Sequence, residues 1–348
     1  MKILLIGGGT GGHILPLRQL VDELKNTHVE ILLSDSALDR RLAQENFSDI
    51  PVHFLQTGKI RRYFSVQNVL DFFRIVTSIG KAKKLLQKIQ PDILFFKGGF
   101  VGFPVLLAAK FLTNFKGKIF SHESDISPGI MTRFASRFAD TTFHSFGKDP
   151  YPLFYSSLQN SKFKIQNSSC TPPHRRSGEK THILIFGGSQ GSKFVNTLSL
   201  QCSDKLLEKY SITLISGVGK TIPLQHKHFQ QFELLPFSKM AQEMQKAHLI
   251  VSRGGAGSLF EIVAAQIPSV IIPLPSVARN HQFLNAQYFA QKGLCTLLEE
   301  KDATPSTFLK AIEETLKNRN MIDALKKYKL ENSAERIAEL MLNFKGKR

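Results

Sequence analysis

The same opening occurs twice in this chain. The apolar run Lys2-Ile3-Leu4-Leu5-Ile6 breaks into Gly7-Gly8-Gly9-Thr10-Gly11-Gly12, and in the second half His182-Ile183-Leu184-Ile185-Phe186 breaks into Gly187-Gly188-Ser189-Gln190-Gly191. A buried strand that ends in glycine and restarts as an amphipathic helix is the first crossover of a parallel α/β unit. Two copies therefore predict two Rossmann-like units in tandem.

The rest of the pattern agrees. KILLIG, VEILL, DILFF, KIF and DTTFH read as strands in the first half, and HILIFG, SITLIS, HLIVS and SVIIP in the second. Helical periodicity fills 13–25, 66–89, 192–209 and 279–292 between them. Near-continuous apolar strands alternating with helices imply parallel sheets covered on both faces, an α/β class. From Asp149 to Glu179 the periodicity collapses around Pro150, Pro152, Pro172 and Pro173, which reads as the connection between domains. The expected division is 1–160, 161–330 and a final helix in 331–348 that packs back on the first domain.

Composition narrows the class. Cys170, Cys202 and Cys295 are odd in number and far apart, which offers neither a disulfide framework nor a zinc motif and fits a reducing cytoplasm. The opening apolar run is too short for a secretion signal, and no later stretch is long enough to span a membrane. Net charge is +18. Residues 1–150 hold 20 basic and 13 acidic side chains. That surplus matches one segment: Lys59, Arg61, Arg62, Arg74, Lys81, Lys83, Lys84 and Lys88 stand against Asp71 alone. Such a run is a solvated face or a docking surface for an anionic partner.

Three strand ends of the first half carry polar or glycine-rich loops. Gly7-x-Gly9-x-x-Gly12 meets the dinucleotide fingerprint, with His13 in the helical turn that follows and Asp35 available as a ribose acid. Gly98-Gly99-Phe100-Val101-Gly102 follows DILFF, and His122-Glu123-Ser124-Asp125 follows KIF. In the second half Arg253-Gly254-Gly255-Ala256-Gly257-Ser258 opens a helix suited to a diphosphate, and Glu261 one turn inside it can grip a ribose diol.

Taken in order, GGGTGGH, GGFVGFP, HESDISPG, GGSQGS, RGGAGSLFE and NHQFLNA resemble the MurG family, over about residues 1–295. The resemblance implies a GT-B fold, two Rossmann-like domains facing each other across a cleft. It implies inverting transfer of N-acetylglucosamine from UDP-GlcNAc to undecaprenyl-diphosphate-linked muramoyl-pentapeptide, lipid I to lipid II, in peptidoglycan synthesis. No metal or other cofactor is expected, and the location implied is peripheral, on the cytoplasmic face of the plasma membrane. Thr10, Gly11 and Gly12 would line the sugar and acceptor-diphosphate side, with His13 near the reacting hydroxyl. Ser189 would contact the uridine diphosphate, and Phe237 the uracil through its backbone. Ala256, Gly257, Ser258, Leu259, Phe260 and Glu261 would bind diphosphate and ribose, and Gln282 would face the donor sugar.

Departures from the family pattern carry information too. HEQN becomes HESD, so Asp125 stands as a hydrogen-bond acceptor or as a base beside His13. The junction motif GNPVR is reduced to Gln166-Asn167-Ser168-Ser169-Cys170, and its arginine is absent, with Arg175 or Arg176 as substitutes. With the resemblance in place, Lys59 to Lys88, interleaved with Tyr63, Phe64, Leu70, Phe72, Phe73, Ile75 and Ile79, reads as a helix that docks on anionic lipid. The rival readings are another GT-B glycolipid glycosyltransferase, a NAD-dependent dehydrogenase and a basic nucleic-acid-binding protein. Nucleic acid is not expected, because the remaining +11 is dispersed and phosphate-type loops abound. The nucleotide that raises the melting temperature separates the rivals.

Overall fold

The computed structural model describes residues 1–58, 66–155, 180–275 and 278–344. The chain divides into two units, Met1–Tyr155 with Asn332–Arg348, and Ser156–Glu331.

In the first unit, β1 (Lys2–Ile6), β2 (His28–Ser34), β3 (Val52–Leu55), β4 (Ile93–Phe96), β5 (Lys118–Glu123) and β6 (Thr141–His144) form one sheet ordered β3-β2-β1-β4-β5-β6. Every pairing is parallel. The helices are α1 (Gly11–Glu23), α2 (Ala37–Asn46), α3 (Val66–Ile89), α4 (Gly102–Leu107, extended by a π-turn over Ala108–Leu112) and α5 (Ile130–Ala135). The central strands are apolar throughout because helices cover both faces, and Ile3 to Ile6 are fully buried.

The second unit repeats this plan. β7 (Thr181–Phe186), β8 (Tyr210–Ile215), β9 (Phe229–Phe232), β10 (Leu249–Ser252), β11 (Ser269–Ile271) and β12 (Thr296–Leu297) are parallel in the order β12-β11-β10-β7-β8-β9. Around them lie α6 (Lys193–Gln201), α7 (Ser203–Lys209), α8 (Phe237–Lys246), α9 (Ala256–Ala264), α10 (His281–Ala290), α11 (Pro305–Lys317) and α12 (Arg319–Lys327). Counted from the start of each unit, both sheets run third, second, first, fourth, fifth, sixth. The order reverses between first and fourth strands, and ligands of open parallel sheets bind at that crevice.

The strands that sequence pattern misses are the edges β3, β9 and β12, whose half-covered faces leave Val52-His53-Phe54-Leu55 and Phe229-Gln230-Gln231-Phe232 without a long apolar run. The single helix expected over 192–209 is two, broken at Cys202, which ends α6 and begins α7 while its thiol faces the Pro305 carbonyl. A last helix, α13 (Ala334–Leu342), packs on α1. It is held by Asn332 Nδ2 donating to the Phe154 carbonyl at 2.6 Å, the Ser333 N–H to Pro152, and Arg336 to Asp149 at 2.9 Å.

On α3, Ser78, Ala82, Leu86 and Ile89 form the buried stripe while Arg74, Lys81, Lys84 and Lys88 are exposed. Ile79, partly buried, packs against the core beside this stripe. Lys59, Arg61, Arg62, Tyr63 and Phe64 lie outside the described residues, as do Gln166 to Cys170, Arg175 and Arg176. The side chains of Leu70, Phe72, Phe73 and Phe237 lie outside them as well.

Candidate functional site

In the first unit the loops after β1 and β4 meet at the crevice. A Cβ on Gly99 would stand 2.4 Å from the Gly8 carbonyl oxygen, and φ there is +87°, so only glycine lets the two backbones touch. Thr10 is the N-cap residue of α1, and His13 follows in its first turn. His13 Nδ1 lies 3.2 Å from the Gly8 carbonyl. A carbonyl only accepts, so Nδ1 carries the hydrogen and Nε2 keeps its lone pair. Gly98 lies against the ring, where a Cβ would come 3.1 Å from Nε2. Burial, followed by the charge of Lys97, lowers the imidazole's pKa, so His13 is neutral at pH 7 and able to accept a proton.

Asp39 fixes this loop from behind. Fully buried, its carboxylate accepts from the Gly9 N–H at 3.0 Å, the Ser34 N–H at 3.1 Å, the Ser34 hydroxyl at 2.5 Å and the Ser36 hydroxyl at 2.7 Å. A carboxylate bonded to the second glycine of the fingerprint takes the N–H that a dinucleotide pyrophosphate needs. Asp35, the acid a dehydrogenase would turn to a ribose, instead pairs with Arg40 at 2.7 Å. Both facts count against the NAD reading.

Lys97, 1% exposed, directly follows β4, near His13 and the loop after β5. Its ammonium donates to the Ser124 hydroxyl. Burial lowers it to about 8, against the opposing pull of Glu123 and Asp125. Glu123 shapes that loop by accepting the N–H groups of Asp125 and Gly129, each at 2.9 Å. His122 Nε2 donates to the Tyr151 carbonyl at 2.8 Å, and burial pushes its pKa well down. The His122-Glu123 pair is thus occupied with holding backbone.

In the second unit the loops after β7, β10 and β11 converge. Ser189 is exposed at the apex of the first. Ser192 caps α6, and its hydroxyl accepts from Arg253 Nε at 3.0 Å. Arg253 also donates from one terminal nitrogen to the Ile272 carbonyl at 3.1 Å and to Glu300 at 2.5 Å. One buried guanidinium therefore ties all three loops. Arg253 and Ser192 enter the sequence motifs only as the first letter of RGGAGSLFE and the last of GGSQGS, and Lys97 and Asp39 lie outside the motifs; polar residues at the ends of apolar strands are the signal that points to them.

Ala256, Gly257 and Ser258 form the first turn of α9, whose N–H groups have no partner within the helix. Leu259 and Phe260 are buried in its packing face. Glu261, half-buried, has no hydrogen-bond or ion-pair partner among the described residues, and burial alone pushes it up to about 8. Gly254 packs against Gln282, where a Cβ would meet its carbonyl oxygen at 2.3 Å. The Gln282 side-chain oxygen accepts the Leu274 N–H at 3.0 Å, so its amide NH2 is the part that remains to donate. Before it, Arg279 and Asn280 hold left-handed conformations with φ of 60° and 52°. Phe237 begins α8.

Two Rossmann-like units with glycine loops at both crevices define a tandem doubly wound fold suited to phosphate-bearing ligands, and comparison with known families identifies it as a glycosyltransferase. Residues 3–144 match the glycosyltransferase family 28 N-terminal domain and residues 182–341 its C-terminal domain. A transferase of Shouchella clausii, named UDP-N-acetylglucosamine–N-acetylmuramyl-(pentapeptide) pyrophosphoryl-undecaprenol N-acetylglucosamine transferase, is 33% identical over 97% of this chain and 98% of its own. One of the same name from Clostridium botulinum is 32% identical over 99% of both chains. The chain belongs to the MurG family of glycosyltransferases. Among solved structures, Acinetobacter baumannii MurG superposes with a TM-score of 0.71 at 23% identity over 99% of both chains. The UDP-GlcNAc 2-epimerase of Neisseria meningitidis reaches 0.63 at 15% identity, over 98% of this chain and 99% of its own. These two likenesses establish the GT-B fold alone.

Proposed function

We propose that this protein transfers N-acetylglucosamine from UDP-GlcNAc to the muramoyl 4-hydroxyl of undecaprenyl-diphosphate-linked muramoyl-pentapeptide. The observation that carries the donor half is Glu261: a carboxylate left without a partner beside the open first turn of α9 matches a ribose diol linked to a diphosphate. In the acceptor half, His13 Nε2 takes the proton of the attacking hydroxyl, with Asp125 as the other candidate base. The hydroxyl oxygen displaces UDP from the anomeric carbon, inverting it. The N-termini of α6 and α9, with Ser189 on the loop before α6, stabilise the diphosphate as it leaves. Two measurements test this. UDP and UDP-GlcNAc, but not NAD or duplex DNA, should raise the melting temperature, and His13→Ala should lower kcat by about 100-fold with UDP affinity unchanged. Stabilisation by NAD alone would overturn the reading.

The acceptor's lipid tail supports a second element of the reading, docking on an anionic membrane. No described helix is long and apolar enough to cross one. The π-turn that packs against α3 exposes Phe111 and Leu112, which are 65% and 44% exposed, next to Lys110. Apolar side chains rimmed by lysine and arginine suit the headgroup layer on the cytoplasmic face. Phe111 and Leu112 join Lys59 to Lys88 in this docking reading.

A further inference from the structure

Lys97 stands out among the buried polar groups. An ammonium costs several kcal/mol to take out of water, and a protein normally offsets that with hydrogen bonds on every side. Arg253 does so, donating to Ser192, Ile272 and Glu300. Lys97 Nζ has one hydrogen bond among the described residues, to Ser124. Its other company is charge. His122 and Glu123 neighbour it from β5, Asp125 from the loop that follows, and His13 from α1, its ring packed against the adjoining Gly98. The carboxylate of Glu123 is already engaged with the N–H groups of Asp125 and Gly129, so it cannot swing to meet the lysine without releasing the loop.

We propose that Lys97 is a positioning residue of the transfer reaction: its ammonium pins the loop of Ser124 and Asp125 opposite His13 and supplies the positive charge beside which His13 works as a base. The inference rests on the reading of His13 as the proton acceptor. Two consequences follow from the chemistry. A cation next to an imidazole disfavours a second positive charge, so His13 stays unprotonated to lower pH than it otherwise would. The Ser124 bond fixes the direction in which the Asp125 side chain leaves the backbone.

The test uses Lys97→Met and Lys97→Gln in the full chain, with a water-soluble short-chain lipid I as acceptor and UDP as an independent probe of the donor half. Lys97→Met should lower kcat by about 10- to 100-fold and move the acid limb of kcat/KM upward by about one pH unit. Lys97→Gln keeps a donor for Ser124 without the charge; it should recover most of the acceptor KM and leave the limb displaced. UDP affinity should be parental in both. Parental pH profiles in both variants would overturn the proposal, and so would failure of both to fold, since Lys97 would then be a structural residue. Failure of the underlying reading looks different: the parent itself would show no UDP-dependent turnover, or His13→Ala would keep its kcat.

Discussion

Lys97 and Arg253 occupy the same place in their two sheets. Each is the first residue after the fourth strand of its unit, each precedes a Gly-Gly pair, and each is buried, 1% and 6% exposed. The repeat first visible in the strand–glycine openings thus extends to a buried cation at each crevice. The two have diverged in use: Arg253 is held by hydrogen bonds to three separate segments, and Lys97 is surrounded by ionisable groups.

Arg253 should behave as a structural clamp. Arg253→Lys keeps the charge but not the planar fork that reaches Ser192, Ile272 and Glu300 together. The expected loss is about 3 kcal/mol of stability, because the half-buried Glu300 and two loop groups lose their donors. UDP should bind more weakly as the loops loosen. Thermal melts and UDP titration check this; a variant with parental Tm and parental UDP affinity would mean the clamp is dispensable.

Asp39 invites a similar argument for the first unit. Asp39→Ala removes the acceptor shared by the Gly9 and Ser34 N–H groups and the Ser34 and Ser36 hydroxyls, which should cost about 3 kcal/mol. Since Gly9 precedes the turn that carries His13, kcat should fall as well while UDP affinity holds. Urea unfolding and single-turnover rates measure both. Full activity in a destabilised variant would show that the loop keeps its shape without Asp39.

Much of this site was legible in the sequence, and what was not has physical causes. Both glycine openings, His13, Glu261 and the central strands could be read because buried parallel strands are apolar and crevice loops need glycine. The edge strands β3, β9 and β12 are short and half-covered, so they carry no long apolar run. Asp39 and Lys97 were invisible as site residues because their importance lies in what they touch across 30 and 27 positions of chain, Gly9 and Ser124. Periodicity is local; such contacts are not.

Membrane docking predicts a charge effect separable from chemistry. Reversing the exposed Lys81, Lys84 and Lys88 to glutamate should weaken binding to anionic vesicles, each charge contributing about 1 kcal/mol near the surface. Phe111→Ser should weaken binding to neutral and anionic vesicles alike, because it removes an inserted ring and no charge. Turnover of a water-soluble acceptor should stay within about twofold of parental, because these residues face away from the core of the unit. Vesicle sedimentation at low salt reads the first effect. Unchanged binding in the triple variant would remove the docking surface from this helix.

Glu261 gives the sharpest pH prediction. Its folded carboxyl group is raised to about 8 from an ordinary 4.5 by burial, so the stability it contributes is full below about 4.5 and is lost as pH rises through 8. A carboxylate accepts from both ribose hydroxyls in charge-assisted bonds, whereas the protonated acid accepts more weakly and turns one oxygen into a donor, so UDP favours the ionised form and its binding should release a proton. Affinity for UDP should therefore rise between pH 7 and 8, by up to about tenfold, and level off above. That window lies above the second ionisation of a phosphate, near 6, so the ligand's own titration contributes little. Calorimetry in two buffers of different ionisation enthalpy should show the proton leaving. Glu261→Gln should bind UDP more weakly, show a flat pH dependence over the same window and release no proton. It should also be more stable than the parent above pH 8, having no charge to bury. If Glu261→Gln retains the parental slope, the titrating group lies elsewhere and the ribose assignment is wrong.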